Sequence, residues 1–529
     1  MIKMKKLISV LCIGLLVISC TACGKSAKTG SNSVLMEAKD SENQFPNPEN
    51  KVTFDMFVDC TWLPYDTMED GIIEQLIEEQ TGIKINIVKA TDAEQLNLLI
   101  ASDDLPDLVM TSSSSKLNKL SSDDRCWPLQ ELIDKYTPDF KIPEIEQKLN
   151  ALSSENGKYY MLKNEFNTIE EIQNAKNIGP NFGQLIMRED IYKELGSPAL
   201  QTKDDFFALM QMVKENYPDM VPLTINMRQY GGLAQLVGYD PVKPEDENGN
   251  YVCDISDPKY RELCKVINDL YRMGYVTEEN FTFTSDEQTF QNIGTGKAFM
   301  VTHFAGNDEQ NFTARVKEEV PGAKYVQVPL MKDWNYTMPV SGWSAMFITK
   351  NCKDPETAIK FLNWAKQKDN SIALSTGYKG IDWDYDESGN IILLERRQKS
   401  VDAGTKDADY KGDGFIFSAD NYITISNGFY AVATPETRRI YDDAVKRANW
   451  SNALDLAYPK SGTDIRIKFD DISTLSSESF TKICTAKSDE EFNTLYDDMV
   501  KEAEKIGLQE VNEYLTTNYN KLCEDLGVK

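Results

Sequence analysis

His303 is the only histidine in this chain of 529 residues, so chemistry that needs two imidazoles is excluded by counting. Ser113-Ser114-Ser115-Lys116 matches the S-x-x-K signature of penicillin-recognising acyl enzymes, which also need S-x-N and K-T-G further along. The one K-T-G, Lys28-Thr29-Gly30, lies upstream, so the match is a chance one and no catalytic residue is assigned. No G-x-S-x-G, H-E-x-x-H or P-loop pattern occurs. With 84 acids a paired-carboxylate glycoside hydrolase stays open, and turnover of oligosaccharides separates it from a binding protein. The segments DENGNYV (246–252) and DESGNII (386–392) resemble calcium loops at first glance. They read as lacking the downstream bidentate glutamate at the right spacing, and Asn-Gly or Ser-Gly between β-formers signals a hairpin instead. Neither a metal nor a cofactor is assigned.

Binding chemistry remains, in the form of flat aromatic faces beside fixed polar groups. Asp59 ends a predicted strand, and Trp62 and Tyr65 stand on the loop that follows. Ser113 lies in Thr111–Ser115, after another predicted strand. Trp343, in VSGWSAM, follows a turn. Arg228, in NMRQYGG after the β-run VPLTI, is suited to hold a carboxylate bidentately or to pair with a surface acid.

The elements that must carry these residues alternate. KVTFDMFVD (51–59), KINIVKA (84–90) and Asp107–Met110 read as strands, with a helix over 71–80 and another from AEQLNLLIAS between them. Strand–helix–strand–helix–strand predicts an α/β fold with mainly parallel sheets flanked by helices, and ligands sit beyond the carboxyl ends of such strands. Thr202, Asp354-Pro355 and Ser488 with Glu491 read as starts of further helices. At ~150 residues per domain the length suggests two to four domains or two large lobes.

The first residues are an address and not part of the fold. Three lysines in MIKMKK precede the apolar run Leu7–Ile18, twelve residues that rise ~18 Å as a helix and are too short to cross a ~30 Å hydrocarbon core. This predicts a signal peptide over 1–22. Thr21-Ala22-Cys23-Gly24 resembles a bacterial lipobox, in which Cys23 is diacylated, with Cys20 as the alternative. Residues 23–50 then form the lipidated N-terminus and a polar tether. Seven cysteines follow at wide spacing; they predict no disulfide framework, and most read as buried small apolar residues. With 84 acidic against 57 basic residues, a net charge of −27 repels nucleic acid.

Several stretches in order carry a family resemblance: the lipobox, KVTFDMFVDCTW, LNLLIASDDLPDLVM, NGKYYML, IMREDIYKELGSPALQTKDDFFALM, GTGKAFMVTH, MFITKNCKDPETAIKFLNWA and STGYKGIDWDYDESGN. They resemble extracellular solute-binding protein family 1 of bacterial ABC importers, and within it the large lipoprotein subgroup of aldouronate or oligosaccharide type. The resemblance implies a two-lobed fold that closes on a carbohydrate, an oligosaccharide with or without uronate, and delivers it to ABC permease subunits. The first lobe would take 51–165 and about 325–370, the second about 166–324 and 371–529. It implies a non-enzymatic monomer, lipid-anchored outside the membrane of a Gram-positive cell. A peptide ligand or a purely scaffolding lipoprotein are the other readings. Trp383, just past a Gly-rich loop of the subgroup, and His303, after KAFMVT, join the ligand-binding candidates on the same ground.

Overall fold

The computed structural model describes residues 45–180, 183–225, 230–283, 286–303, 308–387, 389–460 and 462–527. The signal peptide, Cys20, Cys23 and most of the tether lie outside the described residues, as does Arg228. In chain order the strands used below are β1 (Val52–Val58), β2 (Ile83–Lys89), β3 (Leu108–Thr111), β4 (Met161–Lys163), β5 (Gln184–Arg188), β6 (Val221–Thr224), β7 (Ala298–His303), β8 (Tyr325–Gln327), β9 (Tyr336–Pro339) and β10 (Ala345–Ile348).

The first sheet has the order β2-β1-β3-β10-β4. β1 runs parallel to β2 and β3, joined by the helices Ile72–Thr81 and Gln95–Ser102 as the alternation predicts. Alternate side chains leave opposite faces of a strand. Accordingly Met56, Met110 and Met346 enter one core while Phe57, Val109 and Phe347 enter another across the sheet. A sheet buried on both faces explains why these strands read as nearly continuous apolar runs.

The second sheet has the order β6-β7-β5-β8. Its largest core joins Leu185, Phe299 and Met300 to the helices Lys203–Asn216, Pro258–Arg272, Asp464–Cys484, Asp489–Ile506 and Leu508–Leu526. Thr202 and Asp205 close a capping box ahead of the first, and Ser488 caps the fourth by accepting from the Glu491 N–H. The C-terminal helices, which carry no motif, are fastened by Asn268, whose side-chain amide donates to the carbonyls of Cys484 and Ala486.

The α/β class is as expected, but both sheets are mixed. β10 lies antiparallel between β3 and β4, and β5 antiparallel between β7 and β8. The first-sheet core also continues past residue 370: Leu374, Tyr410, Phe415, Phe417 and Ala419 pack into it.

Both acidic loops are hairpin turns. Asp246 accepts the N–H groups of Asn248 and Asn250, and Asp386 accepts that of Asn390, each below an antiparallel pairing. Counted from Asp384 the register does place Glu395 twelfth. Asp384 pairs with Ile392 in the ladder, and Glu395 pairs with Lys399. The seven cysteines of the described residues are free and buried. Among those residues no helix is long and apolar enough to cross a membrane.

Candidate functional site

The carboxyl ends of β1, β3 and β4 and the start of antiparallel β10 share one edge of the first sheet. The chain leaves that edge through Asp59–Tyr65, Thr111–Ser113 and Asn164–Glu165, and enters it through Gly342–Ser344. Here three aromatic rings meet. Trp62 stacks on Phe415 with centroids 5.5 Å apart, and Trp343 lies 5.2 Å from Phe415 and 6.1 Å from Trp62. Trp62 is 57% exposed and Trp343 39%, whereas Phe415 is buried beneath them. Two large indoles left open to water on a buried aromatic base form a ready apolar platform.

Polar groups fix this platform from below. The Trp343 indole N–H donates to Glu165 Oε1 at 2.9 Å. Asn164 Oδ1 accepts the backbone N–H groups of Trp343 and Ser344, at 3.1 and 2.8 Å. Gly342 permits this approach: it holds a φ of 77°, and a Cβ there would lie 1.9 Å from the Asn164 carbonyl oxygen. Glu165 in turn donates its backbone N–H to the Asp420 carbonyl. Asp413 starts the short turn Gly414–Phe417 and accepts the Phe415 N–H, which places that ring.

The electrostatics of this edge are acidic. Burial pushes the carboxyl groups of Glu165, Asp413 and Asp420 above their ordinary values, and for Asp420 the neighbouring Asp413 and Glu165 push further. Neither oxygen of the Asp420 carboxylate has a partner among the described residues, nor does Asn164 Nδ2 or Ser344 Oγ. Buried polar groups are normally bonded, and four unpartnered atoms lie at this edge.

The second sheet shows the same feature at the carboxyl ends of β6, β7 and β8. Thr224 Oγ1, His303 Nε2 and Gln327 Nε2 are buried and have no partner among the described residues.

The candidates from the sequence divide accordingly. Trp62 and Trp343 come together as the platform. Tyr65 packs into the first-sheet core with a buried hydroxyl that has no described partner. His303 sits at the second edge, its Nδ1 tied to the Asp308 carboxylate, with Nε2 as its only open atom. Ser113 lies at the start of the helix Ser114–Leu120, on a connection that leaves the same edge, its hydroxyl 3.2 Å from that of Ser115. Two expectations need correction. Asp59 does not offer its carboxylate to the edge: Lys116 Nζ holds both oxygens, at 2.9 and 2.8 Å, and Thr111 Oγ1 donates to one at 2.6 Å. The lysine of the S-x-x-K match is thus that buried carboxylate's counter-ion. Trp383 is completely buried, its indole N–H donated to the Gly377 carbonyl. Asp382 beside it binds Arg396, Tyr410 and the Tyr378 N–H, so Trp383 is the core of its own loop.

Sequence reasoning missed Asn164, Glu165, Phe415 and Asp420. The run Gly412-Asp413-Gly414 before Phe415 was the one local signal, because Gly414 leaves room for the Asp420 carboxylate, which a Cβ would meet at 1.6 Å.

An α/β chain with two exposed indoles at the carboxyl edge of one sheet, and buried unsatisfied polar groups at the carboxyl edges of both, has the build of a ligand-binding protein. Residues 65–371 match the family model of bacterial extracellular solute-binding proteins, and the chain belongs to that family. It is 22% identical over 350 residues to Lipoprotein LipO of Bacillus subtilis, a match that takes in 61% of this chain and 66% of that protein. It is 27% identical over 287 residues to the fructooligosaccharide ABC transporter substrate-binding protein FusA of Streptococcus pneumoniae, covering 49% and 50%. The chain therefore spans between half and two thirds of the length of these curated relatives. The alginate-binding protein AlgQ2 shares the fold at a TM-score of 0.68 and 19% identity, over 90% of this chain and 100% of that one. FusA in complex with kestose does so at 0.62 and 18%, with the same coverage.

Proposed function

We propose that this protein captures an oligosaccharide outside the cell and delivers it to the permease of an ABC importer. The observation that carries this reading is the Trp62–Trp343 platform, whose open faces suit the C–H faces of pyranose or furanose rings. The orphaned Asp420, Asn164 and Ser344 groups beside it suit hydroxyls. FusA is named for fructooligosaccharides and AlgQ2 for alginate, which supports a glycan as the solute. The aldouronate-type subgroup belongs to the same reading, with Arg228 as the residue for a uronate carboxylate.

In this reading the first lobe takes 51–165 and about 325–419, the second takes the remainder, and hinge closure brings the two orphaned edges onto the ligand. The protein acts as a monomer, turns over no substrate and is held to the membrane of a Gram-positive cell by a diacylglycerol on Cys23.

A thermal-shift screen of neutral and uronate-bearing oligosaccharides tests it. A ligand at 100 times its dissociation constant adds ~2.7 kcal/mol of stability. The bound glycan is then recovered and sized. An intact glycan supports capture; shortened products would make the protein a glycoside hydrolase, and no shift with any glycan would remove the carbohydrate reading.

A further inference from the structure

A second cavity, of about 400 Å³, shares no lining residue with the aromatic platform. It lies between the helices Pro258–Arg272 and Asp464–Cys484 and the segment that runs from Pro241 to Ile255. Its volume is that of a small-molecule site. Aromatic rings make much of the wall. Tyr458 meets Tyr251 at 6.5 Å and Phe469 at 5.4 Å, both edge to face, and Tyr230 stacks on Phe480 at 5.2 Å.

One charged side chain stands among the described lining residues, Asp254, and no lysine or arginine does. Its carboxyl value is pushed up to about 6, chiefly by burial, against which the Tyr239 hydroxyl bond works; Asp257 nearby adds a like charge. On the adjoining helix Arg261 binds Asp497 and Asn493, Lys265 binds Asp269 and Asp489, and Arg272 binds Asp489, while Lys259 is exposed and lines no part of the cavity. The carboxylate is left with phenols and ring faces around it and no counter-charge on the described wall.

We propose that this cavity binds a small organic cation of the ammonium type, its charge set against the aromatic walls with Asp254 as counter-ion. Ring faces attract a cation through their quadrupole, most strongly where water is excluded. A neutral apolar guest would leave the buried carboxylate uncompensated, and an anion would be repelled by it. The site is independent of the carbohydrate reading, because no residue is common to both.

Choline is a suitable probe, and 3,3-dimethyl-1-butanol is its uncharged counterpart in shape. In titration calorimetry near neutral pH, choline should bind saturably and at least tenfold more tightly than the alcohol, with sodium chloride matched throughout. Asp254→Asn should weaken choline at least tenfold. Tyr458→Ala, at a position 39% exposed and so safe for folding, should weaken it severalfold and decides the matter if the first variant does not fold. Equal binding of choline and the alcohol would make this an ordinary apolar cavity. Choline binding that neither variant changes, or no saturable choline binding, would likewise overturn the proposal.

Discussion

The indole N–H of Trp343 is bonded to the Glu165 carboxylate at 2.9 Å, across 178 residues of chain. A half-exposed tryptophan is thereby held in one orientation beside Trp62, and its face is available without an ordering cost when a ligand arrives. Trp343→Phe keeps a ring face and loses the N–H, and Glu165→Ala removes the acceptor. If this bond orients the platform, a double-mutant cycle on glycan affinity shows a coupling of ~1 kcal/mol between the two, because each single change already breaks it. Additive losses, measured by calorimetry, would mean that the ring is placed by packing alone.

Trp62 and Trp383 should respond in opposite ways to the same substitution. Trp62→Ala is expected to lower glycan affinity by one to two powers of ten, ~1.4–2.8 kcal/mol, and to leave the ligand-free melt nearly unchanged. Trp383→Ala empties a fully buried site and should cost ~3–5 kcal/mol of stability with or without ligand. Paired titrations and melts distinguish the two, and a destabilised Trp62 variant with normal affinity would place that indole in the core.

The local signals in the sequence carried the fold well. Periodicity, Thr202 and Ser488 caps and the Asn-Gly and Ser-Gly turns depend on neighbours within a few residues, so they are legible along the chain. The site is not local. Its rings and carboxylates come from positions 62, 165, 343, 415 and 420, and nothing near Glu165 or Asp420 marks them for one another. Trp62 was legible because a loop at a strand's carboxyl end restricts where it can be. Trp383 was misread because the resemblance alone placed it among the ligand candidates, whereas Asp382 and its partners pull its loop shut over the indole. The pairing of Asp59 with Lys116 is equally hidden, since it joins the loop after β1 to the helix after β3, 57 residues on.

That pair is a test of architecture and not of binding. Both side chains are buried, 6% and 7% exposed, and bonded at 2.8 Å. Lys116→Met leaves a buried carboxylate without its cation and should cost ~3–5 kcal/mol. Asp59→Leu combined with Lys116→Met should recover most of that loss, as replacement of a buried pair by apolar groups often does. Chemical denaturation of the three variants measures it, and equal destabilisation of single and double variants would contradict the assignment of Asp59 to structure.

The acids under the platform give the pH dependence a definite sign. Folded-state values of Asp413, Asp420 and Glu165 lie above those of the unfolded chain, so the folded protein binds more protons between the two. Their contribution is most favourable below the ordinary carboxylate range and is lost as pH rises through the raised values. Asp420→Asn removes one of these raised carboxyl groups. It should raise the melting temperature by about 2–4 °C at pH 7.5, the size of a ~1 kcal/mol change in a large domain, and change it little at pH 4. A variant that gains as much at pH 4 as at pH 7.5 would show that burial of the Asp420 charge is not the cause.

For the N-terminus, the expected mature species begins at Cys23 with a thioether-linked diacylglycerol. Intact mass and detergent partition of protein from its native membrane check this, and Cys23→Ala should release the protein to the medium. An unmodified terminus beyond residue 23 would contradict the anchor; a lipid on Cys20 would move it by three residues.

The account rests most heavily on a ligand meeting Trp62 and Trp343, and fluorine NMR of protein labelled with 5-fluorotryptophan reports on that directly. The chain has 7 tryptophans, each assignable by a single Trp→Phe variant. Titration with the best glycan of the screen should shift the Trp62 and Trp343 resonances saturably, while those of the buried Trp334, Trp364 and Trp383 stay in place. Saturable binding that leaves the Trp62 and Trp343 resonances unmoved would contradict the assignment of the site.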